Sequence, residues 1–445
     1  MTFRWNVICF IDLYMLNRTI APAAYPIELI KFPHVTTTSL TNGIEIQSLS
    51  LGEQAVFKLE FTVLAGASVA EKAGIASLTS SLMKRGTQQR DATAIHQIFD
   101  YYGAFWDVQT NLDNATFVLY GLTKHLKSLL PYMLEIIQVA TFPVDEFEKE
   151  IAIEVQKNKL NWQKTAFSAS QLLRKQLFEG DNYGRIATQA SIESIQRSEL
   201  IQFHQQNWLG GTPQIFLSGN IGPNELEAVQ QTFEQLQTKP ATSALAYNRH
   251  AHKPEVIHEF RDNALQSSIR LGMHSMIRSN PDYFKFSVLN TLFGGFFGSR
   301  LQKNIREEKG FTYGISSSIV PMQRAGYWVV GTDVANANVQ ETCDEIRKEM
   351  LRLRTEKVAH EELDLVKNYL MGSFTGELTQ AFDIAEKIKV IQLENLPMDF
   401  YDQFQAQILA CTSEDLLELA NKYLCLLYTS PSPRDRSVSR MPSSA

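Results

Sequence analysis

The stretch LFGGFFGSRLQKNIREEKGFTYGISSS, residues 292–318, determines the fold expected for the second part of the chain. It contains a glycine-rich turn, then a charged helical run, then a strand pattern. Gly310 follows the charged run, at the position where helices commonly end in a left-handed residue. Beyond it Phe311, Tyr313 and Ile315 alternate, which predicts that their side chains share one face of a strand.

Two polar side chains in this stretch are candidates for binding. Arg306 lies in the last turn of the predicted helix, and Tyr313 follows in the strand. A guanidinium fork and a phenol that converge on one spot can hold a peptide carbonyl or an oxyanion. The structural alternative is an arginine that caps helix carbonyls and a tyrosine that fills the core.

The glycine-rich turn, with Gly294, Gly295 and Gly298, lets a backbone pass close to another segment. A nucleotide phosphate is an improbable ligand for it. The turn lacks the Lys-Ser/Thr that follows a phosphate-binding loop, and no strand-turn-helix context supports a dinucleotide fingerprint.

Outward from this stretch, the order of predicted elements repeats along the chain. An Asn42-Gly43 turn separates two strand signals near the start, and a strand pair is predicted over 105–122. A long helical pattern covers 144–178. Both parts of the chain show strand, helix, helix, strand, strand, helix. The sequence therefore predicts an α+β fold of two related domains, each with an antiparallel-rich sheet covered by helices.

The ends and the middle of the chain differ in composition from these domains. CLLYTSPSPRD, residues 425–435, matches the translation of a widely used transposase-type sequencing adapter, although a disordered Ser/Pro/Arg tail is the alternative. Translation could begin at Met15, which would make 1–14 spurious. We expect an N-terminal extension at 1–34, a first domain at 35–240, a linker at 241–256, a second domain at 257–424 and an artefact at 425–445.

Bulk composition excludes several function classes. The 445 residues include 42 Lys and Arg against 48 Asp and Glu, a net charge of -6, without a basic run interleaved with aromatics. Nucleic acid is therefore an unfavourable partner. No stretch reaches the ~18 apolar residues of a membrane span. The four cysteines have no metal-binding spacing, and we expect a cytoplasmic location, with export to the periplasm as the alternative.

Together with EELDLVKNYLMGSF, AFDIAEKI and EDLLELANKYL further on, the 292–318 stretch resembles the pitrilysin/insulinase family of zinc peptidases. That family includes mitochondrial processing peptidase and the core proteins of the bc1 complex. The likeness spans roughly residues 35 to 424. It implies a fold like that of mitochondrial processing peptidase, which forms half of a clamshell chamber. It also implies that Arg306 and Tyr313 bind substrate, and that the glycine-rich turn lies near the entrance to the peptide chamber.

The resemblance also shows where a metal site has been lost. Catalytic members carry an inverted H-x-x-E-H on a helix, with two zinc-binding imidazoles and a glutamate that activates water. The matching helix here is GIASLTSSLMKRGT, residues 74–87, with Ser77 and Ser81 at the histidine positions and Ser80 at the glutamate position. Hydroxyls supply neither the imidazole nitrogen nor the carboxylate base. We predict no metal site, no catalytic residue and no bound cofactor in this chain.

Other potential ligands do not restore the site. Glu148, Glu150 and Glu154 lie in the region of the family's third zinc ligand, but without the histidines we interpret them as solvated helix charges. His250 and His252 lie in the expected linker, where histidines are commonly solvated.

These features favour a metallopeptidase-family subunit that is inactive alone. The leading hypothesis is that it pairs with a zinc-bearing paralogue, or with a second copy of itself, and encloses unfolded peptides. The second hypothesis is a scaffold or peptide-binding protein like the bc1 core proteins. The third is a self-sufficient enzyme with a different nucleophile.

Overall fold

The computed structural model describes residues 29–33, 35–236, 255–262 and 264–424, which form two α+β halves. The expectations for residues 1–28, for residues 241–254 of the predicted 241–256 linker with its His250 and His252, and for 425–445 lie outside the described residues. The first-half strands are β1 (Thr36–Ser39), β2 (Glu45–Ser50), β3 (Val56–Val63), β4 (Phe105–Thr110), β5 (Ala115–Leu122) and β6 (Gln214–Gly219). Its helices are α1 (Ile75–Met83), α2 (Ala92–Tyr101), α3 (Leu126–Val139), α4 (Val144–Trp162), α5 (Thr165–Leu177), α6 (Gln189–Glu193), α7 (Arg197–Phe203) and α8 (Pro223–Glu234).

The second half has fewer strands and a larger share of helix. Its strands are β7 (Gln266–Ser275), β8 (Thr312–Pro321) and β9 (Gly326–Ala335). Its helices are α9 (Tyr283–Asn290), α10 (Val339–Thr355), α11 (His360–Gly376), α12 (Ala381–Leu393), α13 (Phe400–Ala410) and α14 (Ser413–Tyr423). Among the described helices, none combines the length and the apolar character needed to cross a membrane.

Both halves contain the same three-stranded unit. The first sheet has the order β1-β2-β6-β3-β5-β4, and the second has the order β7-β9-β8. In β3-β5-β4 and in β7-β9-β8 alike, the last strand in sequence lies between the other two, and all pairs are antiparallel. The structure confirms the predicted α+β fold and its repeated, antiparallel-rich sheets.

Local turn chemistry accounts for one end of the first sheet. Asn42 and Gly43 join β1 to β2, as the sequence predicts, and Gly43 has a positive φ of 83° that glycine adopts without strain. The sequence analysis did not identify β6, which lies in the middle of this sheet and pairs parallel with β2.

The predicted long helix over 144–178 is wrong in one respect, because it is two helices. The backbone of Lys164 is extended between α4 and α5. The Ser168 hydroxyl donates to the Trp162 carbonyl over 3.1 Å, and Arg261, distant in sequence, donates to the same carbonyl. These side chains satisfy the end of α4, so the chain can change direction there.

Each half contributes a helix to the sheet of the other half. Helix α5 packs on β7, while α12 packs on β6 and β2. The approach of α5 depends on Gly272, where an added Cβ would lie 2.8 Å from the Leu173 Cδ2 atom. The two halves are therefore interlocked and do not form two independent globules.

A buried ion cluster, the charged latch, joins the halves. It consists of Lys58 and Glu60 on β3 with Glu386 and Lys389 on α12. Lys58 Nζ lies 2.9 Å from Glu60, and Lys389 Nζ lies 2.7 Å from the other Glu60 oxygen. Burial alone would lower the pKa of Lys58, but the adjacent Glu60 and Glu386 carboxylates outweigh burial and raise it. Each buried charge thus has an opposite charge beside it, as burial requires.

A second junction is formed by the tips of two hairpins. Tyr183 donates its hydroxyl hydrogen bond to Asp113, which lies in the β4–β5 turn. Arg324, in the β8–β9 turn, donates to the Ser68 hydroxyl over 2.9 Å, and the Gln323 amide donates to Asp113 over 3.1 Å. These contacts fix the end of the second sheet against the first half.

Candidate functional site

Helix α1 carries the three serines that stand in place of the metal motif. Ser77 is exposed, and its hydroxyl donates to the Gly74 carbonyl over 3.0 Å. Ser80 is 2% exposed and shares a hydrogen bond with the Thr110 hydroxyl on β4. Ser81 is half-buried. The Ser77 hydroxyl therefore bonds the backbone at the start of α1, the Ser80 hydroxyl packs α1 on β4, and such neutral oxygens are poor ligands for zinc.

The acidic residues of α4 require a correction. Glu148 is exposed, as expected, and Glu154 is partly exposed with Lys157 beside it at 3.3 Å. The interpretation of Glu150 as a solvated charge is wrong, because its side chain is buried against Arg85. The Arg85 Nε donates to Glu150 over 2.8 Å. Arg85 follows α1, so an ion pair joins α1 to α4 at this place.

The donor set of this region does not fit zinc. Within the described part of the chain, no group of three or more His, Cys, Asp or Glu side chains is arranged to hold a metal ion. His204 is a core residue, since it is 3% exposed and its Nε2 lies 2.8 Å from the Ile137 carbonyl. Burial lowers the pKa of His204 to about 4, so the imidazole is neutral near neutral pH.

The region around Arg306 lies in the second half. The helix that carries Arg306 widens into a π-helical segment, Gln302–Glu308, and ends at Gly310 with a φ of 65°. The helix stop predicted at Gly310 is confirmed. Arg306 Nε donates to the Tyr313 carbonyl over 2.9 Å, and the guanidinium carbon lies 4.3 Å from the centre of the Phe297 ring. A backbone acceptor and an aromatic face therefore fix the guanidinium.

Tyr313 lies in a β-bulge. Thr312 pairs with Val334 and Ile315 pairs with Thr332, so Tyr313 and Gly314 together oppose one residue of β9. The Thr312 and Thr332 hydroxyls both donate to the Gly314 carbonyl, over 2.9 and 3.0 Å. These hydrogen bonds satisfy the backbone that the bulge removes from the ladder.

The bulge corrects the predicted side-chain alternation. Tyr313 and Ile315 were expected on one face, but Tyr313 is 97% exposed whereas Ile315 is 2% exposed. The extra residue in the bulge turns the phenol outward. Tyr313 is therefore not a core residue. This excludes the alternative in which the tyrosine of this pair fills the core. The structure brings Arg306 to the backbone of Tyr313 and leaves the phenol accessible.

The glycine-rich turn packs against β8. An added Cβ at Gly294 would lie 2.7 Å from the Ser317 amide nitrogen, and at Gly298 it would lie 2.7 Å from the Phe296 ring. At Gly295 it would be 3.2 Å from the Asn290 side chain. The close backbone approach to another strand is therefore made at Gly294, against β8, the strand that carries Tyr313, whereas Gly295 and Gly298 face residues of their own segment.

The predicted site residues form two separate groups. The α1 serines belong to the first half, and Arg306 and Tyr313 belong to the second. No hydrogen bond or ion pair among the described residues joins one group to the other. The sequence analysis did not identify Arg270, Tyr327 or the small side chains of β8 and β9, which line a cavity beside Gly314. The alternation of Gly314, Ser316 and Ser318 was the signal that could have revealed it.

Comparison with known proteins gives a consistent assignment. Residues 51–189 match the family described as Insulinase (Peptidase family M16), and residues 194–370 match the Peptidase M16 inactive domain. The chain belongs to the insulinase family of peptidases. An uncharacterized zinc protease of Bacillus subtilis is 21% identical over 305 residues, which is 67% of this chain and 73% of the relative. The mitochondrial-processing peptidase subunit beta of Lentinula edodes is 21% identical over 88% of both chains.

One further relative and two solved structures are also similar to this chain. A probable inactive metalloprotease of Bacillus subtilis is 21% identical over 52% of this chain and 54% of its own length. The crystal structure of a peptidase M16 inactive domain from Pseudomonas fluorescens superposes with a TM-score of 0.80 at 26% identity, covering 88% of this chain and 96% of that one. A protease from Helicobacter pylori shares the fold with a TM-score of 0.79 at 18% identity, over 88% and 97% of the two chains.

Proposed function

We propose that this chain is the non-catalytic subunit of an insulinase-family zinc metallopeptidase. In this proposal it supplies part of the peptide-chamber wall, and Arg306 and Tyr313 hold the substrate. The zinc belongs to a paralogous partner subunit that retains H-x-x-E-H, and this chain binds no cofactor itself. A homodimer is the alternative assembly. We propose a cytoplasmic location, with the periplasm as the alternative.

The observation that carries the proposal is the contrast between Ser80 and Tyr313. Ser80, at the position of the catalytic glutamate, is buried and hydrogen-bonded within its own half. Tyr313 is almost fully exposed on a bulge whose backbone holds Arg306. A side chain that is exposed and has no core role is available to a ligand, whereas a buried and satisfied hydroxyl is not.

An open sheet edge supports a peptide as that ligand. In the described residues, β4 lies at one edge of the first sheet. Strand β8 lies at an edge of the second sheet, but its Ile315 and Ser317 carbonyls already accept hydrogen bonds from Gln302 and Asn290. An extended peptide can pair with an exposed strand edge through backbone hydrogen bonds. In such a complex the Arg306 Nη atoms and the Tyr313 phenol are donors for a peptide carbonyl, and they stabilise it as negative charge develops on its oxygen.

The experiment is the substitution Arg306→Ala in the pair reconstituted with the zinc-bearing paralogue. We expect turnover to fall by about a hundredfold, the cost of removing one such donor, while the pair still assembles. Tyr313→Phe should lower turnover by a smaller factor, because only a hydroxyl is lost. Arg347→Ala on α10, where Arg347 pairs with Asp344 one turn away, is the matched control and should leave turnover unchanged. Unchanged turnover in Arg306→Ala would refute the role of Arg306.

A second candidate function is a scaffold or peptide-binding protein without a role in hydrolysis, comparable to the bc1 core proteins. The observation in its favour is that contacts within the chain, Ser80–Thr110 and Arg85–Glu150, hold α1 in place. A pull-down that recovers a stable complex without a peptidase subunit, from a chain that binds peptides, would favour this function.

A further inference from the structure

A polar cavity of about 270 Å³, the β8 pocket, lies beside the bulge that carries Tyr313. One wall comes from α5 of the first half, and the floor comes from β8 and β9 of the second half. Its lining residues are Ser170, Leu173, Arg270, Gly314, Ser316, Ser318, Tyr327, Val329, Gly331, Thr332 and Asp333. A cavity of this size suits one or two side chains better than a complete cofactor, since small-molecule sites measure roughly 300–1,000 Å³.

Small residues keep the pocket open. Gly314, Ser316 and Ser318 alternate on the exposed face of β8, while Ile315 and Ser317 point into the core. An added Cβ at Gly314 would meet nothing within 4 Å. On β9, an added Cβ at Gly331 would lie 3.4 Å from the Arg270 side chain. The arginine therefore lies flat across β9 at the position where a glycine leaves room.

Arg270 is fixed and has hydrogen-bonding capacity left over. Its Nη1 donates to the Ile269 carbonyl over 2.8 Å and to the Thr332 carbonyl over 3.1 Å. Its Nε donates to the Ser170 hydroxyl on α5 over 3.1 Å. Within the described residues Nη2 has no hydrogen-bond partner, although the side chain is 16% exposed. A rigid guanidinium with one free edge is well suited to an oxyanion.

The rest of the lining adds hydroxyl groups that can donate. The hydroxyls of Ser316, Ser318 and Tyr327 have no hydrogen-bond partner among the described residues. Burial raises the pKa of Tyr327, so the phenol keeps its proton and can donate. The acidic member of the lining is Asp333, which is half-exposed and lies 3.4 Å from Arg270 Nη1. One half-exposed carboxylate therefore shares the pocket with a guanidinium and three hydroxyls, each of which can donate to an oxyanion.

We propose that the β8 pocket is a subsite for a carboxylate of the bound peptide. Arg270 Nη2 and the hydroxyls of Ser316 and Tyr327 are its donors. The inference rests on the proposed function and adds to it a preference for peptides that place a carboxylate in this pocket. Gly314 lines the pocket and directly follows Tyr313, so a peptide held at Tyr313 passes the mouth of the pocket. An acidic side chain and a free peptide C-terminus share this chemistry.

The experiment measures binding of labelled peptides to the full chain by fluorescence anisotropy. Three peptides of otherwise equal sequence carry a central Glu with an amidated C-terminus, a central Gln with an amidated C-terminus, or a central Gln with a free C-terminus. We expect the first or the third to bind about tenfold more tightly than the second, which corresponds to one charge-assisted contact. The peptide that binds more tightly identifies the source of the carboxylate.

Substitutions connect the preference to the pocket. Arg270→Gln should reduce the tenfold preference to less than about twofold, and Arg347→Gln is the matched surface control that should retain it. Asp333→Asn should strengthen binding of the acidic peptide, because the competing carboxylate is lost. Ser316→Val fills the pocket without touching the hydrogen bonds of Arg270, and it should also abolish the preference. It therefore replaces Arg270→Gln if that variant does not fold.

The outcomes separate this inference from the proposed function. If all three peptides bind equally well to the wild-type chain, the carboxylate subsite is refuted. The proposal that the chain binds peptides at its chamber wall is then unaffected. In a fourth amidated peptide with a central Lys, tighter binding that Asp333→Asn removes would also refute the subsite. If no peptide binds, the peptide wall and the subsite are both refuted.

Discussion

The β3-β5-β4 unit of the first half and the β7-β9-β8 unit of the second have the same topology, but they expose different chemistry. In the first, the hydroxyl of Ser80 is buried and bonded to Thr110. In the second, Tyr313 is 97% exposed and the guanidinium of Arg306 is fixed beside it. The first unit thus has its hydroxyl packed against the sheet, whereas the second presents groups that can contact a ligand.

The largest expected effect comes from weakening the charged latch between the two halves. Lys58→Met removes the contacts of Lys58 with Glu60 and Glu386, and among the described residues Lys389 remains as the partner of Glu60, which is 2% exposed. Breaking a buried ion pair costs about 3–5 kcal/mol when the remaining charge has no partner. Because Lys389 still faces Glu60, the free energy of unfolding should fall by the lower end of that range, about 3 kcal/mol. Chemical denaturation followed by circular dichroism measures it. Lys149→Met removes exposed pairs on α4 and should leave the denaturation midpoint unchanged. Equal shifts in the two variants would contradict the role of the latch.

The next effect tests whether the core of the first half keeps His204 neutral. Burial lowers the pKa of His204 to about 4, against about 6.5 in an unfolded chain. Between these values the unfolded state binds more protons than the folded state. The free energy of unfolding should therefore decrease by about 3 kcal/mol as the pH falls from 6.5 to 4.

The matched variant for this pH dependence is His204→Gln, which keeps every carboxylate of the chain and removes the imidazole. Denaturation curves at several pH values should give a shallower slope for the variant between pH 4 and 6.5. The same slope in both proteins would show that His204 is not held neutral by the core.

A smaller effect is expected where the second half depends on a glycine. Gly294→Ala places a Cβ 2.7 Å from the Ser317 amide, so the turn must move away from β8. We expect a loss of about 2 kcal/mol in the free energy of unfolding, typical of overpacking. Gly372→Ala is the matched control in α11, where a Cβ meets nothing within 4 Å. That variant should gain up to about 1 kcal/mol from helix propensity. Destabilisation of both by equal amounts would contradict the close approach.

The smallest effect distinguishes the α1 serines from one another. Ser80→Ala removes a buried hydrogen bond and should cost about 1 kcal/mol of unfolding free energy. Ser77→Ala, on the exposed side of the same helix, should change it by less than about 0.5 kcal/mol. Thermal denaturation of the two variants side by side provides the measurement. A larger loss in Ser77→Ala would mean that the packing role assigned to Ser80 is wrong.

The sequence predicted those parts of the fold that depend on nearby residues. The Asn42-Gly43 turn and the helix stop at Gly310 are confirmed, because left-handed glycine positions leave a local signal. The strand pair over 105–122 is confirmed as well. The break before α5 was missed, since Arg261, about a hundred residues away, helps to satisfy the end of α4.

Two features of the site could not be predicted from local pattern. The bulge at Tyr313 depends on the hydroxyl of Thr332 in the neighbouring strand, so the alternation in β8 gave the wrong face. Glu150 was interpreted as solvated because nothing in α4 indicates that Arg85 reaches it. The charged latch likewise joins residues more than three hundred positions apart.

The most direct test of the central claim is the zinc content of the isolated chain, freed of any tag and measured by elemental analysis alongside a peptidase assay. Serines at 77, 80 and 81 predict substoichiometric zinc and no peptide cleavage by this chain alone, with chelator-sensitive cleavage in the reconstituted pair. One zinc per chain, with chelator-sensitive cleavage by the purified chain, would contradict the account.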